Sequence, residues 1–163
     1  MFAEYFQSTD LVGASPILML AAFSVIALVV NAAMNNSGKV IFGIGCIGIV
    51  ASAACAIELF PSNATAFSQM VLVGGYASMF DLMFLAAAFL TLMLSYPYLE
   101  KEEYHFGEYY VLVLLATVGM MMMGSAADLI TIFLGVEIMS VSFYVLAGFI
   151  RIRHAAKAYF RYL

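Results

Sequence analysis

Five runs of this sequence are too long and too apolar to be buried together in a water-soluble core. They cover about Leu11–Ala33, Val40–Ile57, Leu82–Tyr96 (or from a turn earlier), Tyr109–Ser125 and Leu129–Ile150. A helix of roughly 20 apolar residues crosses the hydrocarbon layer of a bilayer while satisfying its own backbone hydrogen bonds. Lipid then solvates side chains that water would reject. Across all 163 residues, 66% are hydrophobic and 10% are charged, where a soluble domain carries about a quarter charged. The fold class that follows is all-α, a polytopic transmembrane helix bundle of about five spanning helices forming a single region over 1–163. The net charge of −4 comes with no dense basic run, so nucleic acid is not an expected partner. The opening residues, with Glu4 among them and no basic cluster, do not read as a cleaved signal peptide.

The breaks between these runs carry ordinary turn chemistry. Asn35-Asn36-Ser37-Gly38 is a turn cluster, Pro61-Ser62-Asn63 opens a longer loop, and Tyr96-Pro97 is expected to stop the third helix. Gly124 to Asp128 makes a short link, with Asp128 placed to cap the fifth helix. Links this short imply antiparallel neighbours. Met70 to Tyr76 is apolar and partly β-branched but too short to span, which predicts a short strand, hairpin or interfacial segment between helices two and three. Residues 151–163 are basic and read as a tail or the start of a sixth helix.

All six basic residues, Lys39, Lys101, Arg151, Arg153, Lys157 and Arg161, fall on one side of a five-helix arrangement. Chance would do this about one time in thirty, so the charges support the helix count and place that side in the cytoplasm. The N-terminus is then periplasmic.

Metal and redox chemistry find little support. Cys46 and Cys55 are nine residues apart in one helix and point to opposite faces, so they cannot bridge within it. Met120 to Met123 are consecutive, sweep around a helix and do not converge on a soft metal. Gly43, Gly45 and Gly48 provide small-residue faces for helix packing. His105 and His154 stand in polar segments, and no phosphate loop, haem-attachment motif or nucleophile triad occurs.

Of the ten acids, nine lie in tails, loops or near predicted helix ends, where water and headgroups reach them; Glu58, Asp81, Glu108 and Asp128 are in the last group. Glu137 is the exception. It follows Asp128 by nine residues, about 13 Å along a helix, and precedes Arg151 by fourteen, which puts it near mid-bilayer. A carboxyl there costs at least ~2–3 kcal/mol to insert, so it is expected to face the bundle interior, with water or a cation nearby. Burial alone favours the protonated acid, whereas a lysine or arginine partner favours the carboxylate. A group that alternates between those states can load and release a proton. The other reading is a permanently neutral acid that serves packing. Ser140 at i+3 and Tyr144 at i+7 share a polar stripe with Glu137, and no lysine or arginine occupies any predicted span.

Helices four and five are where a family becomes visible. Tyr98-Leu99-Glu100, Gly107-Glu108-Tyr109-Tyr110-Val111-Leu112 and Ala116-Thr117-Val118-Gly119-Met120-Met121 lead into Asp128-Leu129-Ile130-Thr131-Ile132-Phe133-Leu134-Gly135-Val136-Glu137-Ile138-Met139-Ser140, then Tyr144 to Phe149. These runs resemble the N subunit of the proton-pumping NADH:quinone oxidoreductase, respiratory complex I, within an antiporter-like membrane subunit family. Ala86 to Ser95 is similar to the family's third helix. The sister L and M subunits usually carry a tryptophan just before the equivalent glutamate; here Gly135-Val136 stand there, and the chain has no Trp.

The resemblance implies a proton-translocating membrane subunit of a bacterial inner-membrane complex, with Glu137 in proton transfer and Ser140 and Tyr144 along its path. It also implies a lysine partner for Glu137 on a later helix. No cofactor or metal is expected in this chain; NAD, FMN, iron–sulfur clusters and quinone are expected in other subunits. Two departures stand out. The family continues through many more helices, whereas Ala155 to Phe160 only echoes its entry into helix six. Asp81 stands where the family often has a basic residue. The rival expectations are a subunit of a cation/proton antiporter of the same superfamily, a structural or assembly subunit that does not pump, and an independent small channel or transporter.

Overall fold

A computed structural model of the chain describes residues 8–34, 38–101 and 107–162, with side chains over 10–34, 38–99 and 107–148. The elements are α1 (Ser8–Gly13), α2 (Ser15–Ala33), α3 (Gly38–Leu59), β1 (Ala64–Ala66), β2 (Val71–Val73), α4 (Gly75–Lys101), α5 (Gly107–Ser125) and α6 (Leu129–Tyr162). Five of them, α2 to α6, are long and apolar enough to cross a membrane. The Asn35–Ser37 part of the expected turn, Glu4, Glu102, Glu103 and His105 lie outside the described residues, as does the side chain of His154.

The helices alternate in direction. Ser52 Oγ, in the last third of α3, donates to the carbonyl of Pro16 at the start of α2, 2.7 Å away. At the opposite end, a Cβ added to Gly107 would run into Ile41 and Asn31, so α5 begins beside the end of α2 and the start of α3. Helix α5 is the hub, with Tyr110, Val111, Leu114, Thr117, Val118 and Met121 all buried. Leu20, Ile41, Ile49, Leu85 and Leu92 of α2, α3 and α4 close around it. Few charged side chains are buried, because lipid and not water is the solvent for the outer faces.

The strand pair exists and does more than connect. β1 and β2 are antiparallel, with Ala64 opposite Val73 and Ala66 opposite Val71. Their turn holds Phe67, Ser68 and Gln69 at φ of 53, 55 and 71°. Left-handed backbone costs non-glycine residues about 1–2 kcal/mol each, so the turn needs external support. Asp10 Oδ1 supplies part of it, accepting the Phe67 N–H at 3.0 Å. On the other edge, Val71 bridges Ala126, and the Ala127 N–H donates to the Met70 carbonyl at 2.8 Å. One hairpin thus ties the start of the chain, the α3–α4 loop and the α5–α6 link at one end of the bundle. Gly74 leaves the hairpin at φ 79°, and a Cβ there would fall on the carbonyl oxygens of Ser62 and Leu59. Only glycine fits that position.

Four expectations are corrected. Tyr96-Pro97 does not stop its helix; α4 runs through Pro97 to Lys101. Proline removes one hydrogen bond near the end of a 27-residue helix. Against that loss stand Tyr96 packed against Phe42, ring centroids 4.6 Å apart and planes tilted by 42°, and Leu99 packed on the core. The same helix starts at Gly75, seven residues before Leu82, because Gly74 ends the hairpin and releases the chain directly into helix. Finally, 151–162 is neither a free tail nor a separate helix but the continuation of the 34-residue α6. At the other terminus, the expected run from Leu11 divides near Ala14 into α1 and α2, with Pro16 in the first turn of α2.

Candidate functional site

Helix α6 is held to α5 by a seam of small residues. A Cβ on Gly119 would meet the Gly135 carbonyl and the Met139 N at 2.7 Å, and one on Gly135 would meet the Gly119 carbonyl at 2.8 Å. The two backbones therefore approach as closely as glycine allows. Thr131 and Ser142 are buried on the same face of α6. Ser142 Oγ donates back to the Ile138 carbonyl at 2.9 Å, so its polarity is satisfied within the helix.

This seam decides where Glu137 points. It lies two residues beyond Gly135, about 200° around the helix. Glu137 is accordingly exposed on the side away from α5, inside the span Leu129–Gly148, and not turned into the bundle interior as expected, because the glycine seam takes the inward face. Among the described residues its carboxylate has no hydrogen bond or ion pair. Tyr144 lies on the same face and is 74% exposed. Ser140 is half-buried, and its Oγ donates to the Glu137 backbone carbonyl at 3.2 Å. The stripe Glu137–Ser140–Tyr144 thus exists as a face, but its middle hydroxyl serves the helix backbone. What the face offers chemically is a single mid-membrane carboxyl, able to exchange a proton or pair with a cation.

The other expected sites are ordinary. Cys46 and Cys55 are free and half-buried. Met121 is buried, while Met120, Met122 and Met123 are half-buried around the helix, with Met123 against Gly135. Among the described residues no three His, Cys, Asp or Glu side chains gather as a metal site. Asp128 occupies the N-cap place of α6, its carbonyl accepting the Ile132 N–H at 3.1 Å.

Asp81 departs from expectation. It is 4% exposed, and its Oδ1 is buried without a hydrogen-bond partner among the described residues. The solvated, helix-end reading of this acid is therefore wrong. The error follows from the helix boundary. With α4 starting at Gly75, Asp81 is in the second turn, and Ala77, Ser78, Asp81, Leu85, Ala88 and Leu92 make one buried stripe. That spacing was available in the sequence, but a start near Leu82, or one turn earlier, left Asp81 at the helix end.

The geometry defines a polytopic membrane protein whose last described helix presents an intramembrane carboxyl on an open face. No family model matches the chain. Among curated relatives, NADH-quinone oxidoreductase subunit N of Trichlorobacter lovleyi is 39% identical over 150 residues, 91% of this chain and 31% of the relative. Subunit N of Salinibacter ruber is 39% identical over 153 residues, 87% of this chain and 31% of the relative. Subunit N 2 of Roseiflexus castenholzii is 38% identical over 134 residues, 82% of this chain and 27% of the relative. The chain belongs to the subunit N family of NADH-quinone oxidoreductases, and spans about a third of the length of these relatives.

Proposed function

We propose that this chain forms part of the proton-translocating membrane arm of an NADH:quinone oxidoreductase, with Glu137 as a proton-carrying residue. The observation that carries this reading is a mid-membrane carboxyl on the face of α6 that α5 leaves uncovered. Lipid is a poor neighbour for such a group, with a cost of at least ~2–3 kcal/mol. Further protein against that face, bringing a cation or water, removes the cost. The relatives' greater length supports this, since about two thirds of each lies outside the matched residues. The family resemblance supplies the expected partner, a lysine on a later helix.

In this mechanism Glu137 holds its proton when the cation is distant and releases it when the cation approaches. Electron transfer in other subunits, where NAD, FMN, iron–sulfur clusters and quinone are expected to bind, shifts that balance. The basic residues orient the chain in a bacterial inner membrane, with the ends carrying Lys39, Lys101 and Arg151 cytoplasmic and the hairpin periplasmic. The relatives are named for the oxidoreductase, which favours this reading over a cation/proton antiporter.

The test is Glu137→Gln in the assembled complex, with NADH oxidation and vesicle acidification recorded together. Proton pumping per NADH should fall severalfold while the complex still assembles. Unchanged pumping by the assembled variant removes Glu137 from the proton path.

A further inference from the structure

Among the described residues, Asp81 is the one buried carboxyl, and the Glu137 path leaves it unused. It lies about 9 Å into α4, six residues past Gly75, and inside the membrane span. Its Oδ1 is buried without a partner among the described residues. The elements packed against α4 are α3, α5 and β2. On α3 the ionisable groups are the half-buried Cys46 and Cys55, the exposed Glu58 near its end, and Lys39 in its first turn. On α5 they are Glu108, Tyr109 and Tyr110, at the end of the helix opposite the hairpin. None of the described residues of β2 is ionisable. No cation of these elements is therefore placed at the hairpin end, where Asp81 lies. A lone carboxylate at such a place is costly, and binding one proton removes the charge.

A route for that proton begins one turn away. Beneath the hairpin is an open cavity of about 380 Å³ lined by Asn63, Thr65, Val73, Gly74, Tyr76 and Ala77. Ala77 is four residues before Asp81 and on the same buried stripe, and Ser78 is three before it. The cavity contains polar side chains and is large enough for several waters, since one needs ~30 Å³.

We propose that Asp81 is a second intramembrane proton-binding site, loaded by water from the hairpin end of the bundle. The carboxylate takes one proton from hydrated solvent through the cavity, becoming the neutral acid and leaving a water behind. The same step reversed returns the proton to the hairpin side. This inference requires the chain to span the membrane but does not require Glu137 to carry protons.

The test is labelling of the assembled complex in sealed vesicles with dicyclohexylcarbodiimide, which adds to protonated carboxyls and leaves a stable N-acylurea. Peptide mass spectrometry separates Asp81 on α4 from Glu137 on α6, so the two sites succeed or fail independently. The Asp81 label is expected to decline as pH on the hairpin side rises, and to ignore pH on the opposite side. Asp81→Asn should remove this label alone; if that variant fails to assemble, the wild-type peptide assignment still decides. No label at any pH, an equal label at every pH, or a label that follows the other side overturns the proposal.

Discussion

Glu137 and Ser140 share a face of α6, yet the hydroxyl donates to the Glu137 backbone carbonyl rather than to its carboxylate. A serine hydroxyl turned back onto its own helix satisfies itself and contributes little elsewhere. Ser140→Ala should therefore change stability by no more than about 0.5 kcal/mol. It should also leave proton pumping close to wild type, in contrast to Glu137→Gln. A severalfold loss of pumping in Ser140→Ala would show that the hydroxyl reorients toward the carboxylate in the working complex. Gly74 is the opposite case, a residue whose replacement has no benign outcome. Its φ of 79° and the carbonyls of Ser62 and Leu59 exclude a Cβ. Gly74→Ala should cost on the order of 1–3 kcal/mol, measured as a lower thermal midpoint of the purified complex. Residue by residue, the place of Glu137 inside a span was legible because it stands in an unbroken apolar run, but its outward direction was not, because that is set by the contact of Gly135 with Gly119. Asp81 was not, because its cost depends on where α4 begins, and that is set by the left-handed turn at Gly74 before it.

Among the elements, the α5–α6 pair depends on atoms that are missing. Gly135 and Gly119 touch through backbone, so even one methyl must separate the helices. Gly135→Ala is expected to destabilise by about 1–3 kcal/mol through overpacking and to tilt the face that carries Glu137. Gly43 has nothing within 4 Å of an added Cβ, so Gly43→Ala should be neutral or slightly stabilising. Comparing their thermal midpoints separates a packing glycine from an idle one; equal behaviour would remove the seam argument. The hairpin makes a related claim. Asp10→Ala removes a carboxylate oxygen that accepts the Phe67 N–H, at a cost of about 1–3 kcal/mol. Faster amide exchange across 64–73 is the expected signature. At this scale the sequence was informative where periodicity or turn chemistry is strong, as in the spans and the strand pair. It misled at Pro97, because proline's local preference lost to the packing of Tyr96 and Leu99, which lies between distant segments.

Over the whole molecule, two outer faces differ in a way that predicts what covers them. The outward side chains of α2, including Leu18, Val25, Ile26 and Val29, are exposed and uniformly apolar. Acyl chains solvate such a face fully, and nothing about it calls for protein. Exposed side chains of α6 include Leu129, Ile130, Phe133, Val141 and Phe143, but Glu137 and Tyr144 stand among them. A carboxyl and a phenol at that depth are poorly solvated by hydrocarbon, so this face should meet protein or water in the complete assembly. Single cysteines at Val29 and Val141, in a background with Cys46 and Cys55 replaced, provide the comparison. A lipid-soluble thiol reagent should modify Val29→Cys readily in the assembled complex and Val141→Cys much more slowly. When the same 163 residues are expressed alone in membranes, both positions should react at similar rates. Equal reactivity within the assembled complex would mean that lipid covers both faces. Glu137 would then have no protein partner, and the charge-pair mechanism would lose its physical basis.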